Sequence, residues 1–145
     1  MNIYRSFSEI ERNPDTVLTV GTFDGVHKGH LKIIRRLQEI SRDNNLRHIV
    51  ITLYPHPQVV LNKKDKPKIN ILTSIEERLH RFETIGVENT FVMPFTVEFS
   101  RTSPEDFVRK YLWEKIGMKR ILIGYDHLFG KNREGNLNLL RSYAE

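Results

Sequence analysis

The chain contains no cysteine. Disulfides, thiolate metal sites and cysteine nucleophiles are thereby excluded. It also lacks any apolar run approaching the roughly 20 residues needed to cross a bilayer. Its first residues, Met1-Asn2-Ile3-Tyr4-Arg5, have neither the apolar core nor the small-residue cleavage site of a secretory signal. No internal repeat and no low-complexity segment breaks the pattern. These absences favour a cytoplasmic protein with no membrane partner.

What is present suits one globular domain. The 145 residues are enough to own a core, and 39% hydrophobic with 28% charged residues is an ordinary balance for such a domain. The net charge is +5, from 23 basic against 18 acidic residues. That excess draws polyanions, either a nucleotide or nucleic acid. No DNA- or RNA-binding motif accompanies it. The densest basic run, Lys63-Lys64-Asp65-Lys66-Pro67-Lys68, reads as a loop rather than a groove-reading element. Nucleic-acid binding therefore rests on charge alone, and small nucleotides are the expected partners.

Apolar runs and helical periods alternate along the chain. Val17-Leu18-Thr19-Val20 reads as a buried strand. Leu31, Ile34, Leu37 and Ile40 recur at helical spacing, with Ile33 widening the face. Ile49-Val50-Ile51-Thr52-Leu53 is a second strand, rich in β-branched residues. Tyr54-Pro55-His56-Pro57 stops it, and a long loop runs to about Lys68. Ser74-Ile75-Glu76-Glu77 opens a helix with a capping-box pattern that closes at Gly86. Thr90-Phe91-Val92-Met93 is a short strand. Ser103-Pro104 starts a third helix, with serine at the N-cap and proline at the first position, and Gly117 ends it. A last strand begins at Arg120, and a polar loop leads to a further helix from Leu137. This alternation predicts an α/β fold, a doubly wound parallel sheet with helices on both faces.

The segment from Gly21 to His30, Gly-Thr-Phe-Asp-Gly-Val-His-Lys-Gly-His, lies between the first buried strand and the first helix. A strand, a glycine-rich turn and a helix start make a phosphate site, because backbone N–H groups and the positive end of the helix dipole converge there. Gly21, Gly25 and Gly29 allow close approach of a ligand. His27 and His30 are three apart and project to one side of a first helical turn. Lys28 adds positive charge. Such a set suits attack at the α-phosphorus of a nucleoside triphosphate. The same residues admit plainer readings: two helix-start histidines, or a transition-metal site completed by His56, Asp126 or His127. Asp24 fits either an Asx-type turn bond or a metal contact. Pro55 and Pro57 fit strand termination on their own. Ligands in such sheets bind where strand order reverses. The first buried strand and the strand before Asp126 are therefore expected to be neighbours.

This glycine-histidine segment resembles the signature of the HxGH nucleotidyltransferases, and its Gly25-Val26-His27 form that of bacterial FAD synthetases. Further segments follow in the family's order: Leu53-Tyr54-Pro55-His56-Pro57, then Pro94-Phe95-Thr96 with Phe99-Ser100, then Gly124-Tyr125-Asp126-His127-Leu128-Phe129-Gly130 with Arg133-Glu134-Gly135. The resemblance implies a Rossmann-like fold and transfer of AMP from ATP to FMN, giving FAD and pyrophosphate with Mg²⁺ as the metal. On that resemblance His27, His30 and Asp126 are the catalytic candidates, Asp126 near the α-phosphate and the metal. Gly21, Thr22, Phe23, Asp24, Gly25, Lys28, Gly29, Gly124 and Arg133 are the candidates for ATP and its phosphates. Pro55, Pro57 and Leu61 are those for the flavin; Leu61 stands where the family often has an aromatic, and Leu128 where a basic residue is common. The family's Ser/Thr-rich segment with its arginine, and a riboflavin kinase domain, have no match here. Residues 1–145 are thus expected to be an adenylyltransferase domain shortened at its C-terminal end.

Overall fold

The computed structural model describes residues 1–26, 28–61 and 73–123. His27, the basic run at 63–68, the second nucleotide segment with Gly124, Asp126 and Arg133, and the expected helix from Leu137 lie outside the described residues.

The elements in chain order are β1 (Asn2–Tyr4), β2 (Thr16–Gly21), α1 (Lys28–Asn44), β3 (Arg47–Tyr54), α2 (Pro57–Val60), α3 (Ile75–Thr84), β4 (Asn89–Pro94), α4 (Val97–Ser100), α5 (Pro104–Asp106) and β5 (Met118–Leu122). All strand pairs are parallel, in the order β1-β4-β3-β2-β5. The chain steps outward from β2 to β3 and β4, then returns to lay β5 on the other side of β2. The order reverses between β2 and β5, and ligands of doubly wound sheets bind at the carboxyl ends of such strands. The expected neighbours are indeed paired: Leu18 lies beside Ile121 and Thr19 beside Leu122.

Both sheet faces are covered, as a parallel sheet requires. Leu18, Val20, Ile49, Ile51, Phe91 and Met93 face a cluster with Phe107, Val108, Leu112 and Ile116. Val17, Val50 and Val92 point the other way, onto Ile34, Leu37 and Ile40 of α1 and Ile75, Leu79 and Phe82 of α3. The caps follow the sequence signals. The Ser74 hydroxyl accepts from the Glu77 amide at 3.1 Å, and the Ser103 hydroxyl from Asp106 at 3.1 Å. Gly86 and Gly117 take the left-handed conformation that ends a helix.

Several features differ from the sequence reading, among them a start of β5 at Met118 rather than Arg120 and the short helix α4. β1 was not expected; its Asn2 side chain donates to Asn89 Oδ1 at 3.1 Å, and three residues held partly by polar contacts carry no period. α1 starts at Lys28 rather than Leu31, because the exposed Lys28 and Gly29 add nothing to an apolar stripe. The loop after β3 contains the single helical turn α2. The third helix widens after α5 into π-type turns over Phe107–Ile116, ending with the Gly117 amide on Leu112 O and Trp113 O, both at 3.0 Å.

β3 also buries His48, whose ring is held on both nitrogens. The Glu88 amide donates to Nε2 at 3.0 Å, so Nδ1 carries the proton and donates to Ser41 Oγ at 3.2 Å. Burial lowers the His48 pKa below its ordinary 6.5, against a weaker pull upward from Glu88. The unfolded chain thus binds this proton more readily than the native one. The resulting stability is complete above the unfolded value and is lost as pH falls from it toward the lower native value. Unfolding free energy is expected to drop below about pH 6.5 with a slope of up to one proton, about 1.36 kcal/mol per pH unit. Urea titrations of His48→Asn across the same range should show a shallower slope; an unchanged slope would remove His48 from the acid sensitivity.

Candidate phosphate-binding turn and active-site crevice

The turn from Thr22 to Val26 leaves the carboxyl end of β2 and enters α1. Gly25 has φ of +80°, but the turn also places two apolar residues at positive φ, Phe23 at 54° and Val26 at 40°. Each such residue costs on the order of 1–3 kcal/mol. Both side chains are buried, in the core shared by α1 and α3. Burial of a side chain of that size contributes roughly 1.5–3 kcal/mol, enough to offset the strain. The Phe23 ring meets Phe82 edge-on at 5.8 Å and His30 at 5.1 Å between centroids. It therefore anchors the turn in the core and bounds the half-buried His30 on the first turn of α1. A Cβ on Gly21 would lie 3.2 Å from the same ring, so Gly21 serves the seating of Phe23 and does not itself need positive φ.

Asp24 holds the turn. Its Oδ1 accepts from the Thr73 amide at 2.8 Å and the Thr73 hydroxyl at 3.0 Å, and the Arg78 guanidinium faces it at 4.0 Å. These bonds brace the turn through a residue 49 positions away, rather than through the local Asx-type bond open in sequence. The Gly25 amide donates to Thr73 Oγ1 at 3.2 Å and the Val26 amide to Phe23 O at 3.2 Å. Those two amides are spent inside the protein, and the positive end of the α1 dipole lies at its start, beside the exposed Lys28. Among the described residues no group of three His, Asp or Glu side chains is arranged to hold a metal ion.

The flavin candidates lie one strand away. Pro55 follows β3 through a cis peptide bond, and Pro57 opens α2. Tyr54, Val59 and Leu61 are among the few large apolar side chains left exposed in the described residues. His56, weighed as a metal ligand in sequence, is buried. Of the aromatic residues after β4, Phe107 is core and Phe99 stacks edge-on against it at 5.7 Å.

Thr52, Thr73 and Arg78 were not singled out from sequence. Arg78 carried a signal: with Ile75, Leu79 and Phe82 it forms the buried stripe of α3, and a charged residue on such a stripe requires an explanation. Thr52 and Thr73 carried none, since one sits inside an apolar strand and the other ends a loop.

A doubly wound parallel sheet whose glycine-rich turn enters a helix at the switch point defines a Rossmann-like α/β protein of the nucleotidyltransferase type. The chain belongs to the FAD synthetase family, whose model matches residues 9–145. It is 36% identical over 129 residues to the bifunctional riboflavin kinase/FMN adenylyltransferase of Listeria monocytogenes, covering 89% of this chain and 40% of that protein. It is 33% identical over 142 residues to the protein of the same description from Buchnera aphidicola, covering 97% and 45%. The chain thus spans less than half the length of these curated relatives. A solved Streptococcus pneumoniae structure, described as a macrolide-efflux protein, superposes with a TM-score of 0.79 at 25% identity, over 97% of this chain and 46% of that one. No helix among the described residues is long and apolar enough to cross a membrane.

Proposed function

We propose that residues 1–145 are the FMN adenylyltransferase part of an FAD synthetase, joining AMP from ATP to FMN. The match to the FAD synthetase family across residues 9–145 carries this reading. The turn at the β2/β5 switch point supports it from geometry. A phosphate oxygen of FMN attacks the α-phosphorus of ATP, the bond from that phosphorus to the bridging oxygen breaks, and pyrophosphate leaves in line. The nucleophile is already an anion, so no strong base is required and no Ser-His-Asp set or catalytic carboxylate pair is needed. The protein positions the two substrates and stabilises the charge that grows on the leaving group.

In this reading His27 and His30 donate ring N–H groups to the triphosphate. The positive end of α1 and Lys28 add to that field. Gly124, Asp126 and Arg133, which follow β5 in the sequence, are assigned to the nucleotide in this scheme. Mg²⁺ would be held mainly by phosphate oxygens and water, with Asp126 as the protein ligand, and would neutralise charge there. Asp24, engaged by Thr73 and facing Arg78, is not a ligand in this scheme. The exposed apolar set at the end of β3, Tyr54, Val59 and Leu61 with Pro55 and Pro57, offers an edge for the isoalloxazine ring.

The test is incubation with ATP, Mg²⁺ and FMN, with FAD and pyrophosphate quantified together, against other phosphorylated acceptors. Equimolar FAD and pyrophosphate are expected, with FMN preferred. Turnover with a different acceptor and none with FMN would redirect the assignment to another nucleotidyl transfer. Leu61→Ala removes apolar contact worth about 1–2 kcal/mol, so KM for FMN is expected to rise roughly 5- to 30-fold while KM for ATP holds. A variant with unchanged KM for FMN would take Leu61 out of the flavin site.

A further inference from the structure

Arg78 is 2% exposed and is the largest fully buried side chain among the described residues. A buried charge is retained only where it is paired and hydrogen-bonded. Two of its partners, Thr52 and Asp24, lead to the turn. Nη1 donates to Thr52 Oγ1 at 2.8 Å and lies 3.4 Å from Leu53 O, while Nη2 faces Asp24. The Thr52 hydroxyl in turn donates to Thr22 O at 2.8 Å. From the other side Thr73 takes the Gly25 amide and gives both its amide and its hydroxyl to Asp24. A carbonyl, a carboxylate and an amide of the turn are thus fixed by three residues from β3, the lead-in to α3, and α3 itself.

The turn needs such a frame, because Phe23 and Val26 sit at positive φ, where an unsupported chain does not rest. We infer that Thr73 and Arg78 are positioning residues of the nucleotide site: they hold the Thr22–Val26 turn, and through Phe23 the His30 ring, in the nucleotide-binding arrangement before the triphosphate arrives. Neither residue touches the reacting atoms. The fork of Arg78 bridges Thr52 and Asp24 at once, which the single ammonium of a lysine does not reproduce. This inference rests on the adenylyltransferase reading for its kinetic consequences, but the frame itself is open to a test without substrate.

Thr73→Val keeps the shape and removes the hydroxyl; Thr73→Ser restores it. If the frame preorganises the site, part of the Thr73→Val population has a loosened turn, and apparent nucleotide affinity falls by that fraction. KM for ATP is expected to rise about tenfold in Thr73→Val, the effect of one lost hydrogen bond to a charged group. KM for FMN should stay within about twofold, and Thr73→Ser should lie near the parent. A residue that merely stabilised the fold would reduce the active fraction without this split. Unchanged KM for ATP, equal rises for both substrates, or a serine variant as impaired as valine would each overturn the inference. Should Thr73→Val not fold, Asp24→Asn is read in its place, with the same expected rise for ATP and the same contrary result.

Amide hydrogen exchange at Gly25 separates this inference from the assigned reaction. Exchange is expected to be at least about tenfold faster in Thr73→Val than in the parent, with no ligand present. Equal exchange overturns the frame even if the protein makes FAD. Faster exchange in a protein that makes no FAD upholds the frame and removes the reaction.

Discussion

Replacing His30 by alanine is expected to lower adenylyl transfer by about 100- to 1,000-fold, corresponding to about 2.7–4 kcal/mol of lost transition-state stabilisation. The magnitude follows from what the site has to do. In the proposed reaction the attacking phosphate of FMN is already charged, so little of the barrier belongs to proton removal. Most of it belongs to placing two anions together and to the charge arriving on pyrophosphate. A fixed donor at the start of a helix acts on that charge with its dipole aligned. His30 has a fixed place because Phe23 meets its ring edge-on. Its removal leaves Phe23 still held by Phe82, so melting temperature should change little. Steady-state pyrophosphate release, run beside a thermal melt, separates the two effects. Near-normal turnover in His30→Ala would exclude this residue from the chemistry.

The largest effect on stability is expected at the opposite end of the sheet, from Gly117→Ala. Gly117 adopts φ of +94°, and an added Cβ would lie 2.3 Å from Asn13 O and 2.6 Å from Asn13 C. Those are backbone atoms and cannot swing aside. Asn13 is tied by its amide to Ile116 O at 3.0 Å, and the same carbonyl accepts from Arg47 Nη2 at 2.9 Å. Arg47 also reaches Glu11 O at 2.7 Å and Thr16 Oγ1 at 3.0 Å. Relief of the clash therefore pulls on the entries to β2, β3 and β5 together. The left-handed conformation costs about 1–2 kcal/mol for a residue with a Cβ, and the overlap adds about 1–3 kcal/mol. A loss of about 2–5 kcal/mol is expected in urea unfolding, a large share of the roughly 5–15 kcal/mol typical of a domain. A loss below about 1 kcal/mol would mean that the helix end relaxes more freely than its contacts indicate.

The parts of this fold that could be read from sequence are those made by repetition. β2, β3 and β4 are runs of buried apolar or β-branched residues, and α1 repeats its apolar positions over four turns. The glycine-rich turn was readable for another reason, since few settings place several glycines and two histidines between a strand and a helix. What escaped was made by single contacts. β1 is three residues beside β4, and a pair of asparagine side chains leaves no pattern. Phe23, read in sequence among the candidates for ATP, has its side chain in the core together with Val26; that both also bear the strained backbone of the turn is a consequence of where their side chains are buried. Gly25 was read as a place for close ligand approach, yet its amide is engaged by Thr73. Arg78 stood on the apolar face of α3 and marked the frame around the turn, but its partners at Thr52 and Asp24 are 26 and 54 positions away in sequence. Contacts at that separation are set by strand order, which a local reading does not supply.

The nucleotide cradle at the start of α1 is tested most directly by recording backbone amide resonances while a non-hydrolysable ATP analogue is added. The largest shifts are expected at residues 28–30 and at the Thr22–Val26 turn, with Asn13 and Arg47 at the opposite ends of the strands nearly unmoved. Shifts centred away from the β2–α1 junction, or none at saturating nucleotide, would contradict a phosphate site there.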